Sequence, residues 1–146
     1  TNKDSRFKKK VLIVDIFGSW CPNCNDMAPV LVQLKRRFED KGLEVVGLAF
    51  EYTGDEKRDR EVVGRFVARH KINYPVLLAG VSDKAKATAA LPDISEVKAY
   101  PTTLFIGRDG KVRRIHSGFI GPASQERHNK LVLELTKTVT DLLDEK

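Results

Sequence analysis

Between Val11 and Phe17 the chain reads VLIVDIF, apolar at every position except Asp15. A run of this kind has no polar alternation, so neither of its faces can be wet. It fits a strand in the middle of a sheet that is covered on both sides. Gly18 and Ser19 end the run. From about Pro22 to Asp40, Met27, Val30, Leu31, Leu34 and Phe38 recur at helical spacing, and Gly42 closes that helix before a second apolar run, Leu43 to Phe50. Pro22 suits a first helical turn, whereas Pro29 is expected to kink the interior. A buried strand, a helix and a second buried strand in this order predict parallel strands joined by a helical crossover. The fold class is then α/β, with helices flanking a central sheet.

The remainder continues the alternation. Glu51 to Glu56 reads as a polar turn, and residues 58–70 carry Val62, Val63, Phe66 and Val67 on one helical face. Tyr74 to Leu78 predicts a short strand, and residues 83–91 a weaker helix stopped by Pro92. Thr102 to Ile106, the turn Arg108-Asp109-Gly110-Lys111 and Val112 to His116 predict a hairpin, which makes the sheet mixed. A last helix from about Ala123 to Leu143 aligns Leu131, Leu135, Val139 and Leu142. The 146 residues are about one domain in length, and a single domain over 1–146 is expected. Because the chain starts almost directly on a core strand, sequence is expected to be missing upstream.

Charge narrows the partners. The formal net charge of +6 is spread over all regions and interleaved with 20 acidic residues. No stretch alternates Lys or Arg with aromatic residues, so nucleic-acid binding is not expected. No apolar run approaches the roughly 20 residues of a membrane-spanning helix.

The only two cysteines lie in Trp20-Cys21-Pro22-Asn23-Cys24, where the first buried strand hands over to a helix. Carboxyl ends of strands are where α/β sheets place their sites. A bond between Cys21 and Cys24 closes so short a loop that it adds little to stability, so the pair reads as chemistry rather than as a staple. At a helix start, unpaired backbone N–H groups and the helix dipole favour a thiolate on Cys21. Cys24, one turn on and more deeply placed, can attack a mixed disulfide formed on Cys21. Other readings of the pair remain. Half of a zinc site would need more ligands, for which only His70, His116 and His128 are on offer. Haem attachment fails on Asn25, which stands where CxxCH needs histidine. A thiol peroxidase would place its cysteine differently, and a redox-inert interaction domain could retain the pair incidentally.

At these residues the chain resembles the thioredoxin superfamily. WCPNC matches the WCxxC of that family; Asp15 stands six residues before Cys21, where thioredoxin has a buried carboxylate, and Pro29 eight after it, where thioredoxins have a helix-bending proline. Tyr100-Pro101-Thr102 looks like the cis-proline loop, and the RDGK turn and the Gly118-to-Gly121 segment GFIG follow in order. The resemblance covers about residues 8–143. It implies a thioredoxin-like fold, a protein disulfide oxidoreductase without cofactor or metal, and catalysis by Cys21 and Cys24, with Asp15 accepting a proton from Cys24. It also implies substrate contacts at Trp20, Pro22, Tyr100 and Pro101, with a cis bond before Pro101. The extra helix and short strand of about 51–80 look like the insertion of the extracytoplasmic, TlpA- and ResA-like branch. That likeness implies a site in the periplasm or cell envelope of a bacterium, a membrane tether outside this segment, and a monomer. Its partners would be protein disulfide or dithiol substrates and a thiol electron donor. Met27 stands where some members, including ones that serve cytochrome c maturation, have glutamate. The neutral Asn23 stabilises a thiolate less than histidine would, which favours the reductase direction.

Overall fold

In a computed structural model, residues 9–51, 55–81, 100–119 and 121–145 are described. Five strands form one sheet in the order β3-β2-β1-β4-β5, comprising β1 (Val11–Phe17), β2 (Leu43–Glu51), β3 (Val76–Val81), β4 (Thr102–Ile106) and β5 (Val112–Ser117). The long helices are α1 (Pro22–Phe38), α2 (Glu56–His70) and α3 (Gln125–Asp144). β1 pairs with β2, and β2 with β3, in parallel; β4 runs antiparallel to β1, and β5 to β4. The apolar first strand is therefore central, and every residue of it is buried.

Alternation along β1 divides the core. Val11 and Ile13, with Val45 and Phe105 from neighbouring strands, pack with Met27, Leu31, Leu34 and Phe38 of α1 and with Leu131, Leu135, Val139 and Leu142 of α3. The stripe read in the last helix is the one that α3 buries. Leu12, Val14 and Ile16 cluster with Val46, Leu48, Leu104 and Ile106. Both cysteines, Phe17, Phe66 and Tyr100 belong to that second cluster, which reaches the end of the sheet where β1 gives way to α1.

Several boundaries depart from expectation for local reasons. α1 stops at Phe38 and tightens into a 3-10 turn over Glu39–Lys41, which Gly42 ends at φ 105, a left-handed conformation that suits glycine. Pro29 lies inside α1, which is a single element through it. α2 begins two residues earlier than its apolar face indicates, because the Asp55 carboxylate caps the N–H groups of Lys57 and Arg58. β3 starts at Val76, while Tyr74 turns into the core beside Gly47. The expected helix over 83–91 lies outside the described residues.

Candidate active site

Cys21 is the N-cap of α1 and Pro22 its first residue, exposed at the helix start. The local sequence explains this placement. The Cys21 N–H closes a tight turn onto the Gly18 carbonyl at 3.1 Å. Proline then needs no N–H partner at the first helical position. The Cys21 Sγ accepts the Cys24 N–H at 3.3 Å and lies 3.5 Å from the Tyr100 carbonyl oxygen. A hydrogen bond from the Cys24 thiol, helped by the N–H groups of Cys24 and Asn23, pulls the Cys21 thiol down to about 7, while burial and the Asp26 carboxylate oppose the shift. Cys24 is fully buried, and its thiol is pushed up by burial, by its bond to Cys21 and by Asp15. Both cysteines are free thiols. One sulfur of the pair is thus half-ionised near neutral pH, and the other holds its proton.

Asp15 sits mid-strand in β1, buried. Its carboxyl is pushed up to about 8, by desolvation first and by the charge of Cys21 second. Its Oδ1 has no hydrogen-bond partner among the described residues. A buried carboxyl group this poorly solvated holds its proton at neutral pH. The Tyr74 hydroxyl is also pushed up, by burial and then by Asp15 and Cys24.

The aromatic candidates gather at the same end of the sheet. Tyr100 is buried, and the Tyr100–Pro101 peptide bond is cis. Trp20 packs edge-on against the Tyr100 ring at 5.2 Å between centroids, and its indole N–H donates to the Phe50 carbonyl at 2.9 Å. Gly18 makes room for that indole, because a Cβ at position 18 would lie 2.0 Å from Trp20 Nε1.

Four residues outside the expected site set, Ser19, Asn25, Glu51 and His70, hold the turn before Cys21. Glu51, assigned to a polar turn by its charge, is the buried last residue of β2. It accepts hydrogen bonds from both the N–H (2.7 Å) and the hydroxyl of Ser19. Asn25 donates through Nδ2 to the carbonyls of Ser19 at 3.2 Å and Cys21 at 3.0 Å. Its Oδ1 therefore faces His70 Nε2, 2.8 Å away, so His70 must be the donor there. His70 packs edge-on against Phe66 and, through Asn25, ties the end of α2 to α1. The only sequence signals were a charged residue ending an apolar strand and a polar residue directly after CxxC. Of the other histidines, His116 lies on the edge strand β5 and His128 packs edge-on against Phe119. Among the described residues no three His, Cys, Asp or Glu side chains converge to hold a metal ion, and no helix is long and apolar enough to cross a membrane.

Known proteins resemble the chain in sequence and in fold. Residues 1–129 match the family model described as Redoxin. A thiol-disulfide oxidoreductase ResA from Bacillus thuringiensis is 26% identical over 106 residues, covering 73% of this chain and 54% of that protein. The thioredoxin-like protein YneN of Bacillus subtilis is 28% identical over 127 residues, covering 87% of this chain and 66% of that protein. The chain thus spans between about half and two-thirds of the length of these relatives. Among solved structures, a thiol:disulfide interchange protein of the thioredoxin family from Chlorobium tepidum superposes with a TM-score of 0.69. It is 22% identical, with 94% of this chain and 82% of that one covered, and it establishes the likeness of fold. The fold is thioredoxin-like, as the sequence motifs predicted.

Proposed function

The chain belongs to the Redoxin family, and from that premise we propose that it is a protein disulfide oxidoreductase acting through Cys21 and Cys24, with reduction of substrate disulfides the favoured direction. One observation carries the reading. Two free thiols sit one helical turn apart at the N-terminus of α1, and the more accessible is lowered to about 7 while its neighbour is raised. A thiolate whose pKa lies near ambient pH combines a useful ionised fraction with high nucleophilicity.

In the forward direction the Cys21 thiolate attacks one sulfur of a substrate disulfide. The substrate S–S bond breaks, one substrate thiolate leaves and takes up a proton, and Cys21 is left in a mixed disulfide. Cys24 then gives its proton to the Asp15 carboxylate and attacks the Cys21 sulfur, which releases the second substrate thiolate. The substrate disulfide has gained two electrons, and the chain ends as a Cys21–Cys24 disulfide that a thiol donor must reduce. Formation of the mixed disulfide removes the Cys21 charge, the second cause of the high Asp15 value, so more Asp15 is ionised when a base is needed. Trp20, Pro22, Tyr100 and Pro101 would receive an extended segment of substrate, and the Tyr100 carbonyl lies 3.5 Å from the Cys21 sulfur.

The likeness to ResA extends the proposal to an extracytoplasmic setting, with protein thiols as partners and a tether beyond this segment. Met27, buried in the core, occupies the position of the glutamate found in some of that branch, so no role in cytochrome c maturation is included. Reduction of insulin with a thiol donor tests the activity. Turbidity that depends on both Cys21 and Cys24 is the expected result. A rate equal to the donor alone would leave a redox-inert interaction domain as the reading.

A further inference from the structure

The second resolution step rests on Asp15, and the surroundings of Asp15 contain a feature that step does not use. In the β1–β4 pair Asp15 lies directly opposite Thr103, so both side chains rise from the same face of the sheet. Both residues are buried. Among the described residues, two buried side-chain oxygens lack a hydrogen-bond partner, Asp15 Oδ1 and Thr103 Oγ1. Buried polar atoms are rarely left unpaired, because each carries a desolvation penalty. Two of them on facing residues of one strand pair point to a shared purpose. Opposed residues place their Cβ atoms about 4.5–5.5 Å apart, so a hydroxyl can meet a carboxylate by rotation about the threonine χ1.

We propose that Thr103 is a positioning residue for the resolving step: its hydroxyl donates a hydrogen bond to Asp15 when that side chain is ionised, and so governs when Asp15 can take the proton of Cys24. This rests on the assignment of Asp15 as proton acceptor. A neutral Asp15 has less need of the bond than an anionic one, whose charge also acts on the Tyr74 hydroxyl and the Cys24 thiol. The neighbouring strand on the other side of β1 offers only Gly47 in register with Asp15, and glycine brings no side-chain donor.

The other titratable groups near this row are distinguishable. From α1, Cys21 and Cys24 interact with Asp15; from the segment before β3, Tyr74 does so. On β5, His116 lies opposite Thr103 on the same face, and burial, Arg114 and Glu134 leave it with a net shift below the ordinary histidine value. Its titration therefore falls well below the range about pH 8 where Asp15 changes charge. A hydrogen bond to the charged form lowers an acid's pKa, so removing the hydroxyl moves Asp15 further upward.

Thr103→Val keeps the shape and deletes the hydroxyl; Thr103→Ser restores it. In the reduced protein, the carboxyl carbon of Asp15 followed by NMR should titrate about one pH unit higher in Thr103→Val, a roughly ten-fold change in its acid constant, and return in Thr103→Ser. Single-turnover reduction of a small aromatic disulfide should show the same displacement in its second phase, release of the mixed disulfide, with the first phase unchanged. If the Asp15 titration is the same in Thr103→Val as in wild type, the inference is wrong. If that titration moves while the second phase keeps its pH profile, Thr103 does solvate Asp15, and it is the role of Asp15 as base that fails.

Discussion

Replacing Asp15 by asparagine should stabilise the protein, and by an amount that grows with pH. The carboxyl group has an ordinary value of 3.8 and is pushed up to about 8 in the fold, chiefly by burial. The folded state therefore binds the proton more tightly than the unfolded chain does. Below pH 4 both states are protonated and the carboxyl group adds nothing to the pH dependence. As pH rises the unfolded chain ionises first, and stability falls until the folded state ionises too, so the loss is confined to the window from about pH 4 to about pH 8. At about 1.36 kcal/mol per unit, the cost is roughly 2 kcal/mol at pH 5 and about 4 kcal/mol at pH 7, levelling near 6 kcal/mol above pH 8. Asparagine has nearly the same shape and does not titrate. Urea unfolding of the reduced wild type and of Asp15→Asn at pH 5, 7 and 9 reads this directly. The gap between the two should widen by about 2–3 kcal/mol from pH 5 to pH 7. Parallel curves across that range would show that Asp15 is not a buried, proton-retaining acid, and the proposed path for the Cys24 proton would go with it.

Other consequences follow from the turn that holds Cys21. Alkylation of the reduced protein should label Cys21 with a midpoint about pH 7 and leave Cys24 unmodified, as peptide mass spectrometry can show; faster labelling of Cys24 would reverse their roles. Glu51→Gln replaces an acceptor of both Ser19 hydrogen bonds by an amide, and should cost about 1–3 kcal/mol in denaturant unfolding and move the Cys21 alkylation midpoint upward. If stability falls but the midpoint stays, Glu51 braces the fold and not the nucleophile. Gly18→Ala would put a Cβ 2.0 Å from the Trp20 ring nitrogen, so the indole must leave its bond to Phe50 and its fluorescence should shift to the red. An unshifted spectrum would mean that the turn yields in place of the ring.

The parts legible in the sequence were those with a strong local signal. The Val11–Phe17 strand was read to the residue because six apolar side chains leave it no wet face. The stripe of α3 and the CxxC at a helix start are similarly self-announcing. What escaped reading was polar and non-local. Glu51 looks like loop until Ser19, 32 residues away, is seen to donate to it. Asn25 and His70 meet across 45 residues, and nothing in either neighbourhood announces the other. Asp15 could be placed in β1 from the apolar run around it, but its partner in the sheet, Thr103, depends on the antiparallel register with β4, which no periodicity encodes. Helix ends failed where capping decided them, as Asp55 does for α2 and Gly42 does after α1.

The claim that Cys21 attacks and Cys24 resolves can be tested by trapping. Cys24→Ser and Cys21→Ser variants, each reduced and then mixed with a peptide disulfide at pH 7, are analysed as intact proteins by mass spectrometry. The account predicts that Cys24→Ser accumulates a stable one-to-one mixed disulfide located on Cys21, while Cys21→Ser, left with a fully buried thiol that desolvation pushes up, forms little or none. Rapid adduct formation on Cys24 in the Cys21→Ser variant, with none on Cys21 in the other, would contradict it.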